Sequence, residues 1–286
     1  MNSFYFRKDK IDELFNIIKK ELMVNRKNIE KAFELDYREW EYEVNFEQIL
    51  SIIEIVKSKE YLPKFSKEII VDGLGKICLL CNQNPYLVFN FIMSSIYTNN
   101  KVEVVLENKL LASNKVLIET VKKALNKYKA DKDTVSYIEL VNKYDIVFKQ
   151  DNYDLIYYFG NKSSYLDFIK RIHIDTKFEE FGEIYLYSDS KEYKNEIIEI
   201  DKWAYLNEMK VNIYNSELEE VIKEINKLNA INKMSIIFSK DIKKIGKLIK
   251  ELKSEKIYIN INPTNEYKIE TNLNNLVYKK ILKWNI

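Results

Sequence analysis

The chain has 286 residues, 46% hydrophobic and 31% charged, which is typical of a soluble globular protein with one large domain or two ordinary ones. Its 46 basic and 44 acidic side chains nearly cancel, so neither nucleic acid nor an anionic membrane is expected as a partner. No apolar run approaches the roughly 18 residues of a membrane span, and the N-terminal segment is not typical of a signal peptide. A cytoplasmic location is therefore expected, and the two cysteines fit a reducing compartment rather than a disulfide framework.

The glycine count is low. Average usage near 7% would place roughly 20 glycines in a chain of this length, whereas this chain has 5. Proteins that lay their backbone against a dinucleotide need glycine there, because a side chain would block the approach. The composition therefore disfavours an intact dinucleotide-binding loop.

The first third of the chain is predicted to be helical, over residues 11–22, 28–35 and 46–58. In the first of these segments the apolar residues recur at the 3.6-residue spacing of a helix and would form one buried stripe. They are Ile11, Leu14, Phe15, Ile18 and Leu22. Pro63 is expected to end this helical region, because proline interrupts regular structure.

After Pro63 the pattern changes to short apolar runs separated by helical segments. Strands are predicted at 68–71 and 76–80 around a tight turn at 72–75, and Pro85 opens a helix because proline suits a first helical turn. The following segments are predicted in order as a strand at 102–106, helices at 113–125 and 135–141, strands at 144–148 and 154–159, and a helix at 164–172.

The alternation resumes in the second half of the chain. Strands are predicted at 183–187, 235–238 and 256–261, and helices at 217–228, 241–252 and 274–282. Short apolar strands that alternate with helices indicate an open, mostly parallel sheet with helices on both faces. The sequence therefore predicts an α/β fold of Rossmann type preceded by N-terminal helices. We place a domain boundary near residue 190, which gives a nucleotide-binding-type domain at 1–190 and a smaller second domain at 191–286.

Several short segments occur in the order found in one enzyme superfamily. They are Gly75–Pro85, Asn100–Lys109 with Ser113-Asn114, Asp154–Asn161, Glu180-Phe181-Gly182-Glu183 and Ile257–Asn260. The third resembles a strand that ends in Phe-Thr-Gly-Ser, and the fourth resembles a Glu-Leu-Gly-Gly element. In this order the segments resemble the aldehyde dehydrogenase superfamily, and Ser113-Asn114 is similar to its gamma-glutamyl phosphate reductase branch. The resemblance implies an aldehyde dehydrogenase-like fold in a shortened, degenerate member, with a remnant of the catalytic domain at 191–286.

The cofactor-binding residues that the resemblance implies are altered. The family's lysine that holds the adenosine ribose aligns with Glu107, which would repel phosphate. The family's Gly-Ser turn for the pyrophosphate corresponds to Gly160-Asn161-Lys162-Ser163. Gly160 permits a turn there, and Lys162 and Ser163 could meet an anion at the start of the next helix. Binding of NAD(P) is therefore expected to be weak or lost.

The resemblance also implies a nucleophilic cysteine between Gly182 and Ser235, but this interval is short and contains no cysteine. Glu180 aligns with the family's general-base glutamate, which does little without its nucleophile. The two cysteines, Cys78 and Cys81, form a C-x-x-C pair that is more typical of buried strand residues than of a redox pair or half a zinc site. Cys81 precedes the next predicted helix and is kept as a candidate reactive thiol.

Three functions stay open. The first is a non-catalytic, aldehyde dehydrogenase-like pseudoenzyme that acts as a binding or assembly module, with a homodimer formed by edge-to-edge pairing of the C-terminal strands at 256–267. The alternative is an NAD(P)-dependent oxidoreductase that acts on an aldehyde or acyl group with an atypical site, for which Cys81 is the candidate thiol. The third is a subunit or partner of an intact dehydrogenase relative. The single histidine, His173, disfavours a histidine-based metal site, so no metal is expected.

Overall fold

The computed structural model describes residues 8–37, 46–58, 69–81, 84–106, 111–131, 133–140, 142–160, 162–180, 184–206, 209–227, 234–254, 256–262 and 276–281. The α-helices are α1 (Lys8–Val24), α2 (Arg26–Asp36), α3 (Phe46–Ser58), α4 (Pro85–Tyr97), α5 (Leu111–Lys127), α6 (Lys162–Ile169), α7 (Lys194–Leu206), α8 (Leu218–Lys227) and α9 (Ile242–Glu251). The strands are β1 (Ile69–Gly73), β2 (Lys76–Leu80), β3 (Lys101–Leu106), β4 (Val135–Glu139), β5 (Leu155–Gly160), β6 (Thr176–Glu180), β7 (Ile184–Ser188), β8 (Val211–Tyr214), β9 (Met234–Phe238), β10 (Lys256–Ile259) and β11 (Val277–Ile281). Two 3-10 helices lie at Lys143–Asn152 and Lys191–Tyr193.

The three N-terminal helices form as the apolar spacing predicts. The five residues of the predicted stripe on α1 are all buried, and none is more than 3% exposed. Burial of each of these large side chains stabilises the fold by roughly 1.5–3 kcal/mol. Helices α1 and α2 pack on α5, and α3 packs on α4, so the helical region covers the helices of the first sheet.

The described chain divides into two compact units. The first comprises residues up to 158 with 165–178 and β11, and the second comprises 159–164 and 179–262. The boundary predicted near residue 190 follows β7, whereas the structure places this strand in the middle of the second unit's sheet. Strand β11, from the predicted second domain, pairs with β1 in the first unit.

Each unit contains a parallel sheet. The first is five-stranded, with the order β4-β3-β2-β5-β6, and β2 runs parallel to both of its neighbours. The second is four-stranded, with the order β10-β9-β7-β8, and all three of its strand pairs are parallel. Every residue of the central strands β5, β7 and β9 is buried, as expected for parallel sheets covered on both faces. The predicted α/β fold with a mostly parallel sheet is confirmed.

Four local predictions are wrong, and long-range pairing explains three of them. Residues 135–141 were predicted as a helix but contain β4, which pairs along its whole length with β3. Residues 274–282 were also predicted as a helix, and they contain β11, which pairs antiparallel with β1. Because β1 pairs with β11 and β2 lies in the five-stranded sheet, the two predicted strands at 68–80 do not form a hairpin.

The fourth wrong prediction is the strand at 144–148. These residues lie in the 3-10 helix Lys143–Asn152, where Ile146 is buried against the first sheet and Phe148 faces solvent. Four elements were not predicted at all, namely β6, the 3-10 helix Lys191–Tyr193, α7 and β8. In the described parts of the chain, no helix is both long and apolar enough to cross a membrane.

Candidate functional site at the carboxyl ends of the parallel strands

In open parallel sheets, ligands bind outside the carboxyl ends of the strands, where the strand order reverses direction. In the five-stranded sheet the reversal falls at β2, since the chain proceeds from β2 to β3 and β4 on one side and then to β5 and β6 on the other. Helices α4 and α5 follow the carboxyl ends of β2 and β3. The N-terminal amides of these helices are groups that could receive a phosphate.

The N-terminus of α4 is capped by a residue of the chain itself. The Oδ1 atom of Asn84 accepts hydrogen bonds from the backbone N–H groups of Tyr86 at 2.9 Å and Leu87 at 3.2 Å. Asn84 is buried, and Pro85 occupies the first helical position, where it has no N–H to offer. The first turn of α4 therefore presents its donors to Asn84 and not to a ligand.

The N-terminus of α5 is occupied by a carboxylate. Asp36, the last residue of α2, accepts hydrogen bonds from the backbone N–H groups of Ala112 at 3.3 Å and Ser113 at 2.7 Å. The Ser113 hydroxyl donates a third hydrogen bond to Asp36 at 2.6 Å. A negative side chain thus lies where the partial positive charge of the helix would attract an external anion. Sequence reasoning missed Asp36, because no local pattern links it to residues so far along the chain.

Both cysteines of the chain are buried thiols. Cys78 lies within β2 and is 0% exposed, and Cys81 follows the strand and is 1% exposed. Burial raises the pKa of the Cys78 thiol far above its ordinary value, and the nearby Glu103 carboxylate raises this pKa further. A nucleophilic cysteine must be an accessible thiolate, so the environment of Cys78 opposes that role. The flanking apolar residues predicted this burial.

The other predicted site residues lie at the ends of β5 and β6. Gly160 is the last residue of β5 and is buried, Lys162 begins α6, and Ser163 follows it. Glu180 is the last residue of β6. In the division into compact units, Cys81 belongs to the first unit and these four residues belong to the second. The side chains of Lys162, Ser163 and Glu180, and the whole of Glu107, lie outside the described part of the structure, so their roles stay predictions.

A polar cluster crosses strands β2, β3 and β4 of the first sheet. The carboxylate of Glu103 on β3 accepts hydrogen bonds from the Tyr153 hydroxyl at 2.5 Å and the Ser136 hydroxyl at 2.8 Å. The Lys76 ammonium lies 3.5 Å from the same carboxylate. Burial alone would raise the pKa of Glu103, but these hydrogen bonds and the Lys76 charge outweigh it and lower the pKa. Because the polar groups of this cluster bond to one another, we interpret the cluster as a structural element of the sheet.

A second polar cluster joins the carboxyl ends of three strands in the second unit. Asp189, after β7, accepts hydrogen bonds from the Ser239 hydroxyl at 3.0 Å and the Lys244 ammonium at 3.1 Å. Asn260, after β10, bonds to the backbone N–H and carbonyl of Ser239 at 3.0 and 2.9 Å. Its positive φ of 53° is tolerated by asparagine. These contacts hold the strand ends together, and Ser239 is fully buried within them. Among the residues that the structure describes, no group of three or more His, Cys, Asp or Glu side chains could hold a metal ion.

Neither a protein-family model nor a curated protein matches this sequence. Solved structures do match its fold. Gamma-glutamyl phosphate reductase from Thermotoga maritima is 12% identical, with 98% of this chain and 95% of that chain covered and a TM-score of 0.57. Aldehyde dehydrogenase 21 from Physcomitrella patens, in complex with succinate, is 11% identical, with 97% and 86% covered and a TM-score of 0.64.

A third similar structure is the glyceraldehyde-3-phosphate dehydrogenase of Methanocaldococcus jannaschii in complex with NADP. It is 12% identical, with 95% of this chain and 89% of that chain covered and a TM-score of 0.63. At such low identity the similarity defines the fold alone. The protein therefore has the aldehyde dehydrogenase-like α/β fold, which it builds from 286 residues. This confirms the expected fold class and the resemblance to the reductase branch at the level of structure.

Proposed function

We propose that this protein is a non-catalytic aldehyde dehydrogenase-like protein that acts as a binding or assembly module, with nucleotide binding weakened or lost. The observation that carries the proposal is the burial of both thiols, at 0% and 1% exposure, in a chain with two cysteines. Covalent catalysis by a thiol needs an exposed sulfur that can ionise. A chain whose two sulfurs are enclosed lacks the nucleophile that the resemblance implies for aldehyde chemistry.

The helix N-termini of the first unit support weakened cofactor binding. Asn84 and Asp36 take up the first-turn amides of α4 and α5, so a phosphate would have to displace a side chain of the protein. Displacing Asp36 would also break its bond to the Ser113 hydroxyl. The loss of these hydrogen bonds would subtract from the affinity of any dinucleotide. We propose that Gly160, Lys162 and Ser163, at the start of α6, are the residues of any residual NAD(P) site.

Turnover and thermal-shift measurements test this proposal. We expect no NAD(P)H oxidation or NAD(P)⁺ reduction with aldehydes or acyl phosphates, and no rise in Tm with millimolar NAD(H) or NADP(H). A ligand that binds only the native state raises Tm by mass action, so a silent result reports the absence of binding. Turnover that disappears in Cys81→Ser would replace this proposal with the oxidoreductase alternative, in which Glu180 is the general-base candidate. A Tm rise without turnover would show that the protein binds the cofactor but does not catalyse the reaction.

The assembly role is proposed to use the C-terminal strand β10. This strand ends the four-stranded sheet and has a described neighbour only on the β9 side. An edge of this kind presents unpaired backbone groups that can join a strand of a second copy. The Asn260 N–H donates to Ile237 on β9, so by strand alternation the Ile259 N–H points to the open side. We therefore propose a homodimer in which β10 edges meet.

Sedimentation velocity of the full chain tests the dimer. We expect Ile259→Pro, which removes the outward N–H, to convert dimer to monomer, while Ile259→Val keeps the dimer. Circular dichroism of both variants shows that the fold is retained. A wild-type protein that is monomeric at tens of micromolar would rule out the homodimer. Co-purification with an intact aldehyde dehydrogenase relative, added as a separate chain, would instead favour the partner-subunit role.

A further inference from the structure

The outer flank of α9 carries an exposed apolar strip with a glycine at its centre. Ile242 is 83% exposed and Ile249 is 47% exposed. Gly246 lies between them, so the three residues follow the i, i+4, i+7 spacing of one helix face. Leu248, on the opposite side of α9, is fully buried in the core of the second unit and fixes the helix in place. We call Ile242, Gly246 and Ile249 the α9 strip.

The fold of the chain itself does not explain Gly246. A Cβ atom at Gly73 would lie 2.6 Å from the Asn99 carbonyl oxygen, and Gly75 has a φ of 116°, so both positions require glycine. A Cβ atom at Gly246 would meet nothing within 4 Å. Glycine in a helix interior destabilises a protein by roughly 1 kcal/mol relative to alanine. In a chain with 5 glycines, this position favours close approach of something outside the chain.

Two lysines border the α9 strip without an ion pair in the described structure. Lys243 and Lys250 lie three residues before and four residues after Gly246, so they are its neighbours on the helix surface. The other lysines of the helix differ, because Lys244 pairs with Asp189 and Lys247 pairs with Glu219. The strip is therefore bordered along one side by two positive charges that form no ion pair with a described carboxylate.

We propose that the α9 strip docks an amphipathic helix of an acidic partner protein. An apolar side chain of that helix enters the notch at Gly246, and its carboxylates face Lys243 and Lys250. Charge disfavours a second copy of α9 as the occupant, since the lysines of two such helices would meet. The size of the strip disfavours a membrane, because two exposed isoleucines provide much less apolar surface than an interfacial helix needs. The proposal specifies a partner class for the binding role and rests on that role.

The experiment uses the full-length protein and a defined probe. The probe is a fluorescein-labelled, N-acetylated 18-residue helical peptide with leucine along one strip and glutamate on both flanks, titrated by fluorescence anisotropy. We expect saturable binding that weakens at least about tenfold in Gly246→Leu, which fills the notch. The double variant Lys243→Glu, Lys250→Glu should weaken binding as much. A matched double variant on exposed lysines of the first unit, Lys123→Glu with Lys149→Glu, should bind as the wild type does.

Each other outcome overturns the proposal. No saturable binding to the wild-type protein removes it, and so does equal binding by Gly246→Leu, whose retained fold is verified by circular dichroism. Vesicles of phosphatidylserine that bind the wild-type protein when the peptide does not would make the surface a membrane contact. Association of the protein alone that is lost in Gly246→Leu would make it a contact between copies. NAD(P)H turnover would end the proposed non-catalytic role without changing the peptide titration, so the two failures are distinguishable.

Discussion

The two units differ in how far their exposed backbone groups and strand edges are bonded or covered by the chain itself. In the first unit, side chains of the protein fill the helix N-termini that follow β2 and β3. In the second unit the central strands β7 and β9 are fully buried, but the edge strands β8 and β10 are four residues long and only partly buried. In the described residues, side chains of the chain itself thus occupy the two helix N-termini of the first unit, whereas each edge strand of the second unit keeps an exposed residue.

This contrast separates fold from function. A parallel sheet with helix N-termini at its carboxyl ends is the arrangement that receives dinucleotides, and the first unit retains that arrangement. At those positions Asn84 and Asp36 accept hydrogen bonds from the helix amides, and the two thiols are enclosed. Function must therefore be inferred from particular side chains and not from the fold. In this protein the enclosed thiols and the capped helix N-termini are the basis of the proposed non-catalytic role.

The largest expected effect is a loss of stability, and it compares a buried side chain of the first unit with an exposed side chain on an edge strand of the second unit. Phe91, on α4, is fully buried, and its ring meets that of Tyr157 edge-on with centroids 4.8 Å apart. We expect Phe91→Ala to lower the free energy of unfolding by about 3–5 kcal/mol, because it removes buried surface and leaves a cavity. Ile213→Ala on edge strand β8, where the side chain is 52% exposed, should change it by less than about 0.5 kcal/mol. Urea unfolding followed by circular dichroism measures both, and equal losses would contradict the comparison.

The second prediction concerns Glu103, the partly buried carboxylate in the first sheet. The pKa of Glu103 is lower in the folded protein than its ordinary value of 4.5, so its contribution to stability is present above that pH and lost as pH falls through the folded pKa. We expect Glu103→Gln to lower the free energy of unfolding at pH 7 by about 1–3 kcal/mol. The variant should also unfold with a weaker acid dependence as the pH falls below about 4.5.

The control for this prediction is an exposed glutamate. Glu119 is 52% exposed and forms an ion pair with Lys122 three residues away on α5, so Glu119→Gln should leave both stability and acid dependence nearly unchanged. Differential scanning calorimetry across the pH series measures both variants. If Glu103→Gln retained the full acid dependence, the Tyr153 and Ser136 hydrogen bonds would not stabilise the charge as described.

The elements that sequence predicted correctly are those determined by local spacing. The apolar stripe from Ile11 to Leu22 identifies α1, because a helix buries residues that are close in sequence. Strand β11 was predicted as a helix, because its partner β1 lies some two hundred residues away and no local pattern records that pairing. The helix predicted at the position of β4 was wrong for the same reason, since this strand is stabilised by pairing with β3.

The candidate site likewise has some features that local sequence predicts and others that follow only from long-range packing. Burial of Cys78 and Cys81 could be predicted, because the adjacent apolar residues form a strand that is enclosed on both faces. The bond between Asp36 and Ser113 joins residues 77 positions apart, so it follows only from the packing of α2 on α5. The sequence therefore predicted the burial of the thiols, whereas it gave no sign that Asp36 bonds to the N-terminus of α5.

The third prediction tests whether Asp36 stabilises the N-terminus of α5 and prevents a cofactor from binding there. Asp36→Ala removes three hydrogen bonds at the N-terminus of α5 and should lower the free energy of unfolding by about 1–2 kcal/mol. Glu34→Ala, on an exposed position of the same helix α2, should have almost no effect. Thermal unfolding measures both variants. A Tm rise with millimolar NADH in Asp36→Ala, absent in the wild type, would mean that this single carboxylate excludes the cofactor.

The smallest expected effect is a gain in stability, and it concerns Gly246 on α9 in the second unit. Gly246 lies in the interior of α9, and a methyl group there would meet no atom within 4 Å. We expect Gly246→Ala to raise the free energy of unfolding by about 0.5–1 kcal/mol, because alanine loses less conformational entropy in a helix. Gly75→Ala provides the contrast, since its φ of 116° makes alanine strained and should lower stability. Urea unfolding of both variants decides the point. A loss of stability in Gly246→Ala would mean that the fold itself requires this glycine, and the α9 strip would then have no need of an external partner.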